Sequence, residues 1–198
     1  MSAPNNSKSR MAAAIVALSV FAGATIWINY EVKVNVEQGR SRGSTETMGN
    51  VKIGEMAPDF SLLDLSNRTV TLSSYRGHKV VLLDFWATWC GPCRMEMVDL
   101  QTLLDKFKDK NFEILSLDQG EDASVAGSFI SLKKYGFHVL LDSDGAVANQ
   151  YGVKAIPNLV LIDSDGVVQW LQVGYTGDNQ ELEQKIESLT SKFNLSSK

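Results

Sequence analysis

One passage limits the fold of this chain more than any other. Val80 to Trp86 reads Val-Val-Leu-Leu-Asp-Phe-Trp, and shortly afterwards, from Cys90, the pattern turns helical. The apolar run is that of a strand buried on both faces. Cys93, Met97, Leu100, Leu104 and Phe107 then recur at three- and four-residue steps, so they share one helix face. Strands and helices alternate around this unit. Asp59–Leu65 and Thr69–Leu72 read as a hairpin across Ser66-Asn67-Arg68. Phe112–Asp118 reads as a strand, followed by a helix with Val125, Phe129, Leu132 and Tyr135 on its inner side. Val139–Leu141 and Leu159–Ile162 are further strands, and Val167–Val173 pairs with the latter across Asp163-Ser164-Asp165-Gly166. A closing helix carries Leu182, Ile186, Leu189 and Phe193 in register. The pattern predicts an α/β sandwich.

The N-terminal end predicts a different environment. Residues 1–10 are polar, with Lys8 and Arg10 and no acid, and Met11 to Ile28 carries no charge. That is about the minimum length for a helix to cross a bilayer core. Trp27 and Tyr30 stand where interfacial rings are favoured, and the basic residues lie before the span. The expected layout is a cytoplasmic tail over 1–10, a transmembrane anchor over 11–30, a flexible linker over 31–50 and a folded domain over 51–198. The chain would then be a single-pass protein of the cytoplasmic membrane with its domain on the extracytoplasmic side. Ala22-Gly23-Ala24 offers the alternative of a cleaved signal peptide. Both readings export the domain.

Charge and cysteine usage exclude several functions. Net charge is −4, without a basic stripe, which argues against nucleic-acid binding. The two cysteines sit three positions apart, and a bridge closing so small a ring is a weak staple. One such pair with two scattered histidines falls short of a zinc site, so no metal is expected. His78 and His138 read as structural. Asp142-Ser143-Asp144-Gly145 repeats at 163–166, which suits turns better than a calcium loop, because the longer acidic spacing is missing.

Chemistry is the better explanation of Cys90-Gly91-Pro92-Cys93. Cys90 falls at a helix N-terminus, where unpaired N–H groups and the helix dipole favour a thiolate. Such a thiolate attacks a disulfide, and Cys93, one turn on and facing inward, resolves the mixed disulfide. The redox-active Cys90–Cys93 disulfide then needs no added cofactor. Pro92 suits a first helical turn, and Gly91 leaves the approach to Cys90 open. Asp84 sits in the apolar strand, where desolvation raises a carboxyl's pKa, and is a candidate proton acceptor for Cys93. Glu96 lies about 300° round the helix from Cys93, bordering the buried face. It is either a second proton carrier or a solvated first-turn acid. Trp86 reads as core and Trp89 as apolar surface beside Cys90.

Asp84-Phe85-Trp86-Ala87-Thr88-Trp89-Cys90-Gly91-Pro92-Cys93 resembles the thioredoxin active-site motif over its full length. Gly54-Glu55-Met56-Ala57-Pro58-Asp59-Phe60 and the hairpin after it resemble the opening of the TlpA/ResA-like branch and of peroxiredoxins. The resemblance spans about residues 51 to 190. It implies a thioredoxin-like fold: a central mixed sheet flanked by helices, extended by an N-terminal β-hairpin. It also implies a cis-proline loop at Ile156-Pro157 that pairs with the client chain beside Trp89, with Asn158 where threonine is usual. Glu96 matches a functional glutamate of ResA-like members, and Asp84 matches the buried aspartate of cytosolic thioredoxins.

The implied function is reduction of disulfides in exported clients, such as apocytochrome c cysteines before haem attachment. A membrane protein carrying reducing equivalents from cytoplasmic thioredoxin is the implied electron donor. Two other functions compete with it. A thiol peroxidase would need threonine where Ala87 stands and proline at Leu83. A copper-binding or copper-centre assembly factor could use the two thiols for Cu(I), without an identifiable histidine partner.

Overall fold

The computed structural model describes residues 45–196. The expected tail (1–10), the anchor (11–30) and the linker as far as residue 44 lie outside the described residues. Among those described, no helix is long and apolar enough to cross a membrane.

The domain is built on a seven-stranded mixed sheet. Its strands are β3 (Ser61–Asp64), β4 (Thr69–Thr71), β5 (Val80–Trp86), β6 (Phe112–Gln119), β7 (His138–Asp142), β8 (Asn158–Ile162) and β9 (Val168–Val173). They follow the order β4-β3-β7-β6-β5-β8-β9, after a separate small hairpin of β1 (Thr47–Met48) and β2 (Val51–Lys52). β5, β6 and β7 run parallel, and the outer strands are antiparallel to their neighbours. Every residue of β5 is buried. Alternation divides it between two cores: Val80, Leu82 and Trp86 face α1 (Gly91–Phe107), and Val81, Leu83 and Phe85 face the opposite layer. Each such apolar side chain contributes about 1.5–3 kcal/mol on burial. Asp84 shares the parity of Leu82 and Trp86, so it projects toward α1, the layer that also holds both cysteines.

Two elements differ from the sequence reading. In α2 (Ala123–Lys133) the inner face is formed by Ala126 and Ile130, with Phe129 packed on the same core as expected and Tyr135 beyond the helix end likewise, whereas Val125 is 45% and Leu132 80% exposed. Apolar residues surround this helix, so periodicity could not select a face, and the small Ala126 permits close approach to the sheet. The six-residue α3 (Ala146–Tyr151) has no counterpart in the sequence reading. Asp142 makes it possible, accepting from the N–H groups of Val147 (3.0 Å) and Ala148 (2.8 Å). In the second copy of the tetrapeptide, Asp163 accepts from Asp165 (3.0 Å) and Val167 (2.9 Å) and closes the β8–β9 turn.

Residues 45–50, within the stretch read as linker, pack on the domain. Thr45 N–H donates to Leu171 at 3.1 Å, and Met48 and Val51 join the core that contains Tyr151. The hairpin tip, Gly49 (φ +55°), lies against Gly152 (φ +73°), the C-cap of α3. A Cβ on Gly49 would stand 2.4 Å from the Gly152 Cα, so this approach and both positive φ values require glycine.

Candidate active site

The connection from β5 to α1 presents the dithiol. A turn in which Cys90 N–H donates to Ala87 (3.1 Å) places Cys90 as the N-cap of α1 in extended conformation. Its sulfur accepts from the Cys93 N–H at 3.2 Å. This is a donor that stabilises a Cys90 thiolate once the bond is reduced. Pro92 occupies the first helical turn, where no N–H is needed. Cys90 and Cys93 are joined in a disulfide. Cys90 is 5% exposed and Cys93 1%, so the first sulfur lies nearer the surface. A Cβ at Gly91 would meet nothing within 4 Å, leaving the approach over the helix start open.

Facing the disulfide is the Ile156–Pro157 peptide bond, which is cis, with the Ile156 carbonyl oxygen 3.8 Å from the Cys90 sulfur. Asn158 secures this loop: its side-chain amide donates to the Ala155 carbonyl, and Gly174 N–H donates to Pro157 at 2.8 Å. Trp89, 68% exposed, and Gln119 line a groove of about 370 Å³ together with Val153, Lys154 and Ile156.

Two buried carboxyls lie behind the cysteines. Strand register sets Ser116, Asp84, Leu159 and Gln172 in one row across β6, β5, β8 and β9. Asp84 Oδ2 accepts from the Ser116 hydroxyl at 2.9 Å, and Glu96 Oε1, reaching down from α1, accepts from Gln172 Nε2 at 2.9 Å. Asp84 Oδ1 and Glu96 Oε2 have no hydrogen-bond partner. Burial raises the Asp84 pKa, partly offset by Ser116. Burial raises Glu96 as well, and the charge of Asp84 raises it further, against the opposing bond from Gln172. Glu96 is therefore not a solvated first-turn acid. Each of the two carboxyls thus keeps one oxygen free to take a proton.

Sequence reasoning missed Ser116 and Gln172, which become partners only through sheet register. It also missed Glu121, whose carboxylate accepts from both the N–H and the hydroxyl of Thr88, at 2.6 Å each. A lone Glu-Asp in a loop gives no signal of such a role. Trp86 is fully buried, as read. His138 is a structural contact, 3.3 Å from the Tyr75 hydroxyl through Nδ1 and 3.6 Å from Asp64 through Nε2. Among the described residues no group of three or more His, Cys, Asp or Glu is arranged to hold a metal ion.

Residues 53–171 match the model of the AhpC/TSA family. A thiol-disulfide oxidoreductase ResA from Bacillus cereus is 31% identical over 92% of this chain and 98% of its own length. ResA from Geobacillus thermodenitrificans is 37% identical over 70% of this chain and 79% of its own. Among solved structures, a Chlorobium tepidum protein assigned as the thiol:disulfide interchange protein DsbE superposes with a TM-score of 0.66. It is 35% identical and covers 71% of this chain and 99% of its own.

Proposed function

We propose, from the premise that this chain belongs to the AhpC/TSA family and within it to the ResA-like thiol–disulfide oxidoreductases, that it reduces disulfides of exported client proteins through Cys90 and Cys93. The single observation that carries this reading is the Cys90–Cys93 pair at the start of α1, its outer sulfur facing the cis Ile156–Pro157 loop.

In the reduced protein the Cys90 thiolate attacks one sulfur of a client disulfide. The client S–S bond breaks, a Cys90–client bond forms, and the departing client thiolate takes a proton from solvent. The Cys93 thiol then gives its proton to the Asp84/Glu96 pair and attacks the Cys90 sulfur. The mixed disulfide breaks, the second client thiolate leaves and is protonated, and Cys90–Cys93 closes. Two electrons and two protons pass to the client, and the dithiol is the only redox group this exchange needs. The client's backbone is read by the Ile156–Pro157 loop, and its side chains by Trp89 and the adjoining groove, with Gly91 and Pro92 forming the floor.

Repeated turnover in an oxidising compartment requires a reductant. A membrane protein relaying electrons from cytoplasmic thioredoxin fits that need, and the uncharged segment 11–28 supports a single-pass anchor with the domain outside. Apocytochrome c cysteines before haem attachment are the client this reading favours. The test is Cys93→Ser in the native host, which stalls exchange at the mixed disulfide. Recovery of a cysteine-pair protein linked to Cys90 is expected, and failure to trap any protein would overturn the reading.

A further inference from the structure

Thr88, in the short connection between β5 and α1, gives both its N–H and its hydroxyl to the Glu121 carboxylate, at 2.6 Å each. Bonds to an ionised acceptor are roughly twice as strong as neutral ones. Glu121 is itself held in the turn from β6 to α2. Its N–H donates to Asp118 Oδ1 at 3.2 Å, and its carbonyl accepts from the Ser143 hydroxyl at 3.2 Å. One residue thus ties together the chain leaving the C-terminal ends of three parallel strands, β5, β6 and β7. Asp118 is buried, and desolvation together with the nearby Glu121 carboxylate pushes its pKa up to about 8.

This arrangement reaches the reacting groups through the main chain. Trp89 follows Thr88 directly and is 68% exposed, so packing does little to fix it. Cys90 comes next. Trp89 also lines the groove formed with Val153–Ile156, as does Gln119, two residues before Glu121. We propose that Glu121 is a positioning residue: by clamping Thr88 it holds Trp89 and Cys90 at the separation from the Ile156–Pro157 loop that a disulfide-bearing client segment requires. This role rests on the dithiol reading given above.

The test compares full-length wild type, Glu121→Ala and Glu121→Gln in the reduction of insulin, with dithiothreitol as electron source. Glu121→Ala is expected to raise the KM for insulin about tenfold while kcat stays within about twofold. Glu121→Gln keeps one acceptor oxygen and should recover most of that loss. Acrylamide quenching of Trp89, obtained by difference from Trp89→Phe, should change in Glu121→Ala, which a role in stability alone would not produce. If Glu121→Ala does not fold, Glu121→Gln and Thr88→Val carry the test, each with KM raised about threefold. Wild-type KM and unchanged quenching in the folded variants would overturn the clamp. A wild type inert toward insulin would overturn the dithiol reading instead, and the quenching comparison would still decide the clamp.

Discussion

Gln172 donates to Glu96 across 2.9 Å, joining β9 to the first turns of α1, and only Leu159 separates Gln172 from Asp84 along the registered row. The two acids behind the dithiol therefore sit in one electrostatic environment while holding different partners. That difference makes them separable by experiment.

The resolving step depends on how Glu96 holds its proton. Gln172 favours the charged form of Glu96, and Asp84 opposes it. Gln172→Leu should move the pH midpoint of mixed-disulfide resolution upward, and Asp84→Asn should move it downward. Glu96→Gln removes one carboxyl of the accepting pair and should slow resolution by up to about 10²-fold near neutral pH. Stopped-flow release of a thiol-labelled peptide from Cys90, measured across pH, reads all three.

Asp84 also governs stability. Burial holds its folded-state pKa above the ordinary carboxylate range, so through that range the unfolded chain ionises first and binds fewer protons. Stability therefore falls as pH rises past the ordinary carboxylate range, and the loss is complete once the buried acid ionises. Asp84→Asn keeps an acceptor for Ser116 and escapes this penalty. Urea denaturation at pH 8 should show it more stable by on the order of 2 kcal/mol, with the gain vanishing near pH 4.

The inner face of α2 can be tested by contrast. Ala126→Leu forces a larger side chain into a fully buried site and should cost about 1–3 kcal/mol. Leu132→Lys, at a position 80% exposed, should lie within about 0.5 kcal/mol of wild type. Equal losses in thermal melts would mean that the helix is rotated from the orientation described.

Gly49→Ala and Gly152→Ala should each lower stability by about 2 kcal/mol, from positive φ combined with collision against main chain. The double variant should fare no better than the worse single. Chemical denaturation of the three proteins decides this.

Much of the site was legible in the sequence because its chemistry is local. The strand, the turn and the capped helix around Cys90 follow one another along the chain, and Asp84 stood out as an acid in an apolar run. The cis peptide at Ile156–Pro157 lay where the family resemblance put it. What stayed hidden depends on long-range pairing. Ser116 faces Asp84, and Gln172 reaches Glu96, only through strand register, and Thr88 meets Glu121 only because β5 and β6 are parallel neighbours. The α3 helix escaped notice because six residues are too few for periodicity and its start coincides with a turn signal. Of the residues assigned to the inner side of this helix, Phe129 and Tyr135 do pack on the core, but Val125 and Leu132 do not, because the apolar residues of α2 are not confined to one side.

The meeting of Gly49 and Gly152 has a consequence for how such a chain can drift in sequence. Most packing contacts can be repaired after a change, because a larger side chain on one side is answered by a smaller one on the other. Here the space is filled by peptide backbone on both sides, and every residue carries a backbone. Neither position holds anything its partner could give up, so a replacement at one has no remedy at the other. The segment that leads into the domain and the helix cap beneath it are bound to vary together only by not varying at all.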